Sequence, residues 1–289
     1  FLIIRSTKTE KNKFFVKNKS IKEITKNINF ILGYKIYNNK NSGEYLEISL
    51  RNQKITIKND NFGTYPVYIF KSTNKIIISS CLSWLINETK ETIFINKNSL
   101  YTYFAWGYIP ASNETIYEKI KTLEPNNSII LDKKIKIIKT NPKIFYSIKK
   151  KYNILEFLDL VKNKIDQIFE KFEVKKSYIG LTAGYDSLLG SYLIKKNKKT
   201  FTTATYGEKD SEEVKRATYR SAKYLNSEHF NIFANTIIPT NSEVIKLSKM
   251  TGGLNTIASF PQYNFHKKMI LKKKKFFFDF SMFEFFRKK

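Results

Sequence analysis

The stretch SYIGLTAGYDSLLGSYLI, residues 177–194, decides how the chain is read. Ser177–Leu181 is a short apolar, β-prone run. Thr182-Ala183-Gly184-Tyr185-Asp186-Ser187 is a turn of small and hydroxyl-bearing residues, and Leu188–Ile194 supplies an apolar helical face. A strand that feeds a helix through such a turn aims free backbone N–H groups and the positive end of the helix dipole at one spot. That is an anion site, with phosphate its usual occupant. No Gly-Lys-Ser/Thr follows the glycine, so the turn is not a Walker A loop, and it lacks the Gly-x-Gly-x-x-Gly of dinucleotide binders. An ordinary strand–turn–helix capped by Asp186 or Ser187 shares the same local pattern.

Outward from this stretch the chain has two characters that change near residue 148. After it, apolar residues from Ile154 to Phe172 recur at three- and four-residue spacing, which predicts a long amphipathic helix. Strand Tyr178–Leu181, helix Leu188–Lys195, strand Phe201–Tyr206 and helix Glu212–Leu225 follow, an alternation that implies a parallel sheet with helices on its faces. Before it, short β-rich segments separated by Asn, Asp and Gly turns dominate: Ile28–Tyr37, Tyr45–Leu50, Lys54–Ile57, Tyr65–Phe70, Ile76–Ser80, Ser128–Leu131 and Ile135–Lys139. Helical stretches at Leu82–Asn87 and Lys97–Ala105 interrupt them. A layered antiparallel structure over residues 1–147 and a parallel α/β domain over 148–289 are therefore expected.

Composition bounds the class. With 289 residues and 42% hydrophobic content the chain can build packed cores, and about two domains is the expectation for its length. Cys81 is its one cysteine, which excludes a disulfide framework or a cysteine metal site within the chain. No apolar run approaches a membrane span, and the opening FLIIRS is too short and too soon charged for a signal peptide, so a cytoplasmic location is expected. The absence of an initiating Met points to a fragment or a processed start. The net charge of +27 is spread along the whole chain together with abundant Ile, Asn, Phe and Tyr. Those residues share A/T-rich codons with Lys, so the charge reads as compositional and nucleic acid is not expected as a partner.

The turn at Thr182 resembles the pyrophosphate loop, Ser-Gly-Gly-x-Asp-Ser, of the ATP pyrophosphatases, a group that includes the asparagine synthetases. Thr182 and Ala183 stand at the first Ser and Gly, Gly184 at the second Gly, and Asp186-Ser187 at Asp-Ser. A Cβ at Ala183 restricts positive φ and crowds an approaching phosphate. The first half extends the resemblance. Asp60-Asn61-Phe62-Gly63-Thr64-Tyr65-Pro66-Val67-Tyr68 is similar to the Asp-x-x-Gly-x-x-Pro-Leu-Tyr segment of the synthetases' glutaminase domain. Residues 79–85, and YTYFAWGYIPASNETIYEKIKTLEPNNSIIL at 101–131, are similar to the segments that follow it, with turns set by Gly63 and Pro66 and by Gly107 and Pro110. Residues 201–229 look like the family's second strand and helix, with Thr205-Tyr206-Gly207 where the main chain cradles adenine. Asp210–Glu213 suits that helix's dipole, Ala217, Ala222 and Leu225 form its packing face, His229 enters the next strand, and His266 reads as a surface residue.

The resemblance implies carboxylate adenylation by Mg-ATP and attack by ammonia or an amine. It implies a glutaminase-like αββα sandwich followed by an adenine-nucleotide hydrolase-like parallel sheet. Leu181, Thr182, Ala183, Gly184, Tyr185, Asp186, Ser187, Tyr206 and Gly207 would bind the nucleotide, with Asp186 on Mg²⁺. The partners implied are a small-molecule carboxylate and an ammonia or amine donor, with no membrane, and homodimerisation is compatible with them. Two departures stand against this. The chain begins with Phe1 and lacks both the N-terminal nucleophilic cysteine and the Arg-Asn-Gly-Glu stretch of glutamine-hydrolysing members. At FFFDFSMFEFFRKK, 276–289, Asp279, Ser281 and Phe283 replace two glycines and an aspartate of the synthetase motif, leaving Glu284 as the one candidate catalytic acid. A non-catalytic or truncated relic and a tRNA-modifying pyrophosphate-loop enzyme are the alternatives.

Overall fold

Alternating apolar side chains build the first part of the chain. The computed structural model describes residues 2–7, 13–16, 19–21, 28–35, 43–51, 54–73, 75–109, 113–132, 135–139, 153–171, 176–196, 200–233, 239–251, 260–274 and 276–279. In β5 (Gly43–Arg51), Leu46, Ile48 and Leu50 point one way, as do Ile55 and Ile57 of β6 (Lys54–Asn59) and Ile129 and Leu131 of β10 (Ser128–Leu131). The register sets Ile48 opposite Ile57 and Ile57 opposite Ile129, so one sheet face is a continuous apolar surface. With β4 (Ile28–Lys35) and β11 (Ile135–Ile138) these form a five-stranded antiparallel sheet ordered β11-β10-β6-β5-β4.

A second antiparallel sheet, ordered β3-β2-β1-β8-β7-β9, is built from β1 (Leu2–Thr7), β2 (Lys13–Val16), β3 (Lys19–Ile21), β7 (Tyr68–Lys71), β8 (Lys75–Ser79) and β9 (Ile120–Thr122). Strands β7 and β8 bury both faces. Ile69 and Ile78 join the apolar cluster of the five-stranded sheet, while Phe70 and Ile77 pack with Leu82 and Leu85 of helix α1 (Leu82–Thr89). The period-two geometry of a strand produces this split. Helix α2 (Lys97–Trp106) is capped at its start by the Asn96 side chain, which accepts from Ser99 N–H, and ends at Gly107 with φ 73°.

The later part is a four-stranded parallel sheet ordered β14-β13-β12-β15, from β12 (Ser177–Gly180), β13 (Thr202–Gly207), β14 (Glu228–Phe233) and β15 (Phe276–Phe278). On one face Ile179, Leu181, Ile194, Ala217 and Leu225 pack together, with Val161 of α3 (Ile154–Lys171) against them. They join α4 (Tyr185–Lys196) and α5 (Glu212–Arg220) to the sheet. On the other face Tyr178, Ala204 and Ile232 pack with Phe265 and Met269 of α7 (Phe260–Leu271). Helix α6 (Asn241–Thr251) lies between β14 and α7 in sequence. The chain divides into two compact units, Phe1–Lys149 with Ser248–Asn255 and Lys150–Leu247 with Thr256–Lys289. Antiparallel sheets build the first and a parallel sheet with helices builds the second. No helix among the described residues is long and apolar enough to cross a membrane.

Three local differences from the sequence reading have clear causes. Strand β7 begins at Tyr68 rather than Tyr65, because Thr64 and Tyr65 are bound into the turn made by Asp60. Helix α4 begins at Tyr185 rather than Leu188, so Tyr185 and Asp186 are helical rather than part of the turn. After Arg220 the helix continues as a π turn, Ser221–Leu225, which adds a residue to the turn and shifts the register. Ser221 is therefore buried at 1% exposure, and Ala222, expected on the packing face, is exposed.

Candidate functional site

The loop that leaves β12 lies at the carboxyl edge of the parallel sheet. From β12 the chain crosses through α4 to β13 on one side, while β15 lies on the other, so the strand order reverses at β12. Such switch points open a crevice outside the strand ends, where open α/β sheets take ligands.

Within the loop the side chains of Thr182 and Ser187 lock the turn. Thr182 N–H donates to Ser187 Oγ (2.9 Å), the two hydroxyl oxygens are 2.8 Å apart, and Gly184 N–H donates to Thr182 Oγ1 (3.1 Å). Ser187 is buried in the first turn of α4, and its carbonyl accepts from Ser191 Oγ at 2.7 Å. The third amide, Ala183 N–H, donates at 2.9 Å to the carboxylate of Glu213, in the first turn of α5. Arg220 closes the arrangement. Its guanidinium donates to the carbonyl oxygens of Ala183 and Gly184, and its central carbon lies 5.2 Å from the Tyr185 ring centroid. Neither Ala183 nor Gly184 has a positive φ, so the alanine is unstrained here. A Cβ on Gly184 would meet Thr182 Oγ1 at 3.1 Å, which gives this glycine a packing reason.

Of the residues expected to hold a nucleotide, Thr182–Gly184 form the loop and Tyr185–Ser187 the first turn of α4. Asp186 is half-buried in the first turn of α4. Tyr206 and Gly207 end the neighbouring strand β13, with the Tyr206 ring 5.3 Å from that of Phe265. Leu181 is different: its side chain is core, its N–H donates to Ala204 O (2.9 Å), and its carbonyl accepts from Thr205 Oγ1. It supports the loop from beneath. Glu284 lies outside the described residues, as do Ser281 and Phe283. Among the described residues no group of three His, Cys, Asp or Glu could hold a metal ion.

Sequence reasoning missed the clamp. Glu213 read as a dipole-matching acid, and nothing in the sequence marked Arg220. It also placed His266 on the surface, whereas the ring is half-buried and its Nδ1 is 2.5 Å from the Tyr178 hydroxyl. Burial lowers the His266 pKa, partly offset by the Asp279 charge, and pushes the Tyr178 hydroxyl up to about 12. His229 Nδ1 lies 2.9 Å from Thr203 Oγ1, and its Nε2 2.9 Å from Asn231 Oδ1. Burial lowers its pKa too, with the Asn231 bond opposing.

In the first unit the resembling turn is built around Asp60, which is fully buried. Its carboxylate accepts from Phe62 N–H (2.9 Å), Thr64 N–H (3.2 Å), Thr64 Oγ1 (2.7 Å) and Tyr65 N–H (3.3 Å). Burial alone would raise its pKa, but these bonds outweigh burial and hold it below the ordinary carboxylate value. Gly63 sits at φ +63°, where a Cβ would press on Pro125 at 3.2 Å. Cys81 is buried at the start of α1, with its sulfur 3.3 Å from Ser83 Oγ.

Residues 37–141, which hold β5 to β11 with α1 and α2, match the family model for a glutamine amidotransferase domain. That stretch of the first unit is similar to an amidotransferase-type domain. A solved structure that aligns with the chain is glutamine phosphoribosylpyrophosphate amidotransferase from B. subtilis in complex with ADP and GMP. The alignment has 11% identity and a TM-score of 0.20, and it covers 71% of this chain but only 37% of that one. No curated protein matches the chain.

Proposed function

We propose that the chain is an asparagine-synthetase-like protein, an amidotransferase-type domain followed by a nucleotide-binding domain that forms amides at the expense of ATP. One observation carries this reading: a hydroxyl-rich, pyrophosphate-loop-like turn lies at the switch point of a parallel sheet, downstream of the matched amidotransferase stretch. Bound Mg-ATP would supply an adenylyl group that activates a carboxylate toward ammonia or an amine. Toward it, the Thr182 and Ser187 hydroxyls and the loop amides would hold the phosphates in exchange for the hydrogen bonds they make to one another, and Asp186 would hold the magnesium. Tyr206 and Gly207, at the end of the neighbouring strand, would contact the adenosine. Ala183 N–H joins the cradle once Glu213 swings off it. Charge stabilisation on the departing pyrophosphate is the main catalytic contribution of such a loop. Cys81, buried against Ser83, is a core residue in this reading and not a glutaminase nucleophile. A cytoplasmic setting and a small carboxylate substrate belong to the same reading.

The Glu213 carboxylate on the loop amide favours one second reading, a non-catalytic relic whose loop has closed on itself. Thermal unfolding distinguishes the two. Mg-ATP should raise the melting temperature of the protein through linkage, by an amount equivalent to about 2.7 kcal/mol at a hundredfold excess over Kd. Adenosine should raise it far less, and Asp186→Ala should remove most of the shift. A shift undiminished in Asp186→Ala would place the nucleotide elsewhere, and no shift at any concentration would leave the relic.

A further inference from the structure

The fold gathers onto one face what the sequence scatters. Along α4, Tyr185, Leu189 and Tyr192 recur at helical spacing and all remain exposed, at 74, 50 and 52%. On α5 and the π turn, Tyr219 and Tyr224 stand exposed with ring centroids 6.1 Å apart and planes at 89°. Cations sit between the rings. Lys223 Nζ is 5.0 Å from the Tyr219 centroid and 5.5 Å from that of Tyr224, and Arg220 lies over Tyr185. At the far end of α4, Lys195 donates to the Tyr224 carbonyl at 2.7 Å, which ties the two helices together beside the aromatic pair. Of the nearby acids, Glu212 pairs with Arg216 at 3.2 Å, Glu213 holds the Ala183 amide, and Asp186 is half-buried in the first turn of α4.

We propose that this face binds a single-stranded nucleic acid, whose bases stack on the exposed tyrosine rings while Lys195, Arg220 and Lys223 neutralise its phosphates. Aromatic rings interleaved with cations suit that ligand because every unpaired base offers a flat face and every phosphate a charge. A duplex keeps its base faces stacked inside and meets such a surface only through phosphates. An acidic peptide brings charge but no planar group for the rings. The remaining balance of this face is positive, complementary to a polyanion. The compositional expectation weighs the lysines by their spread along the chain, whereas a ligand meets them by the face they share. The assignment does not depend on the amide-forming reading and goes beyond it.

The test is fluorescence anisotropy on the full chain with labelled oligo-dT and oligo-U of about 12 nucleotides, within the usual span of such sites. Salt is held at about 0.15 M, and a duplex of the same length and heparin serve as competitors. The single strand should bind more tightly than the duplex, and heparin should compete poorly. Tyr219→Ala with Tyr224→Ala should weaken binding by at least about tenfold, because each base–ring stack is worth roughly 1–3 kcal/mol. The paired Tyr→Phe changes should retain binding within about twofold. Tyr192→Ala, in the separate helix α4, gives the same reading if the double variant fails to fold. Lys223→Gln should reduce the salt slope by about one. Absence of single-strand binding, equal binding of duplex or heparin, or unchanged binding by the tyrosine variants would overturn the proposal.

Discussion

Two turns in this protein are each held by a carboxylate on backbone amides, and they differ in where the carboxylate comes from. In the first unit Asp60 folds its own turn: acceptor and donors lie within five residues, and the acid is fully buried. In the second unit the acid on the Ala183 amide comes from Glu213, thirty residues on, and it is only half-buried. A local, buried acceptor has nothing to replace it, since its loss strands several donors away from water. A distant, solvent-touched acceptor can be exchanged for water or for another anion. The same hydrogen bond is therefore architecture in one unit and an occupant in the other.

The largest expected effect breaks the first side of this pairing. Asp60→Ala removes the acceptor of three amides and one hydroxyl and should cost about 3 kcal/mol, with the melting transition of the first unit lowered by roughly 10 °C. Trp84 and Trp106 are the chain's two tryptophans and both belong to that unit, so their emission reports it selectively. A loss below about 1 kcal/mol would show the Asp60 turn to be as replaceable as the Glu213 contact. Glu213→Gln tests the other side. It should cost less than about 1 kcal/mol in stability yet tighten Mg-ATP roughly tenfold by calorimetry, because the loop amide no longer faces a competing charge. Weaker ATP binding in this variant would mean that Glu213 shapes the loop instead of occupying it.

The smallest effect separates the units by pH. His229 and His266 are the chain's two histidines, and both lie in the second unit with pKa values lowered from 6.5 by burial. The unfolded chain then takes up protons before the folded one as pH falls, so their contribution is complete above pH 6.5 and drains away below it. Asp60, with its pKa lowered, loses its contribution only in the more acid carboxylate range, below about pH 4. Urea unfolding between pH 7 and 5 should show circular dichroism of the whole chain weakening while tryptophan emission holds its midpoint. Coincident, pH-independent transitions would remove the distinction.

Much of the fold was legible because period-two and helical patterns are set by which side chains are buried. Strands β5, β6, β8, β10 and β11 and helices α1, α2 and α3 all answer to such patterns, and β10 runs from Ser128 to Leu131 as expected. The short strands β1 to β3 and β9 were not legible. Each is six residues or fewer: β1 and β9 pair with the distant strands β8 and β7, and β2 and β3 are added to that sheet through β1. The loop itself was visible as a run of small and hydroxyl residues from Thr182 to Ser187. Its clamp was not, because Glu213 and Arg220 reach it from another helix and carry no mark in their own surroundings. The π turn after Arg220 escaped for a related reason: Ser221 turns inward to meet Thr203 Oγ1 at 3.1 Å and Ser227 Oγ at 2.8 Å, partners that only the folded sheet provides.

Cys81 gives the first unit a built-in clock. It is the chain's one thiol, it is 6% exposed, and it sits between the end of β8 and the first turn of α1 with Ser79 Oγ bound to its amide. A thiol reagent can modify it only in molecules where that junction has opened, so the labelling rate counts openings and no engineered probe is required. Every other reactive group on the chain is silent in that assay. The protein thereby reports the loosening of its β-rich half, one event at a time, independently of the Thr182–Ser187 segment and the tyrosine face of the other unit.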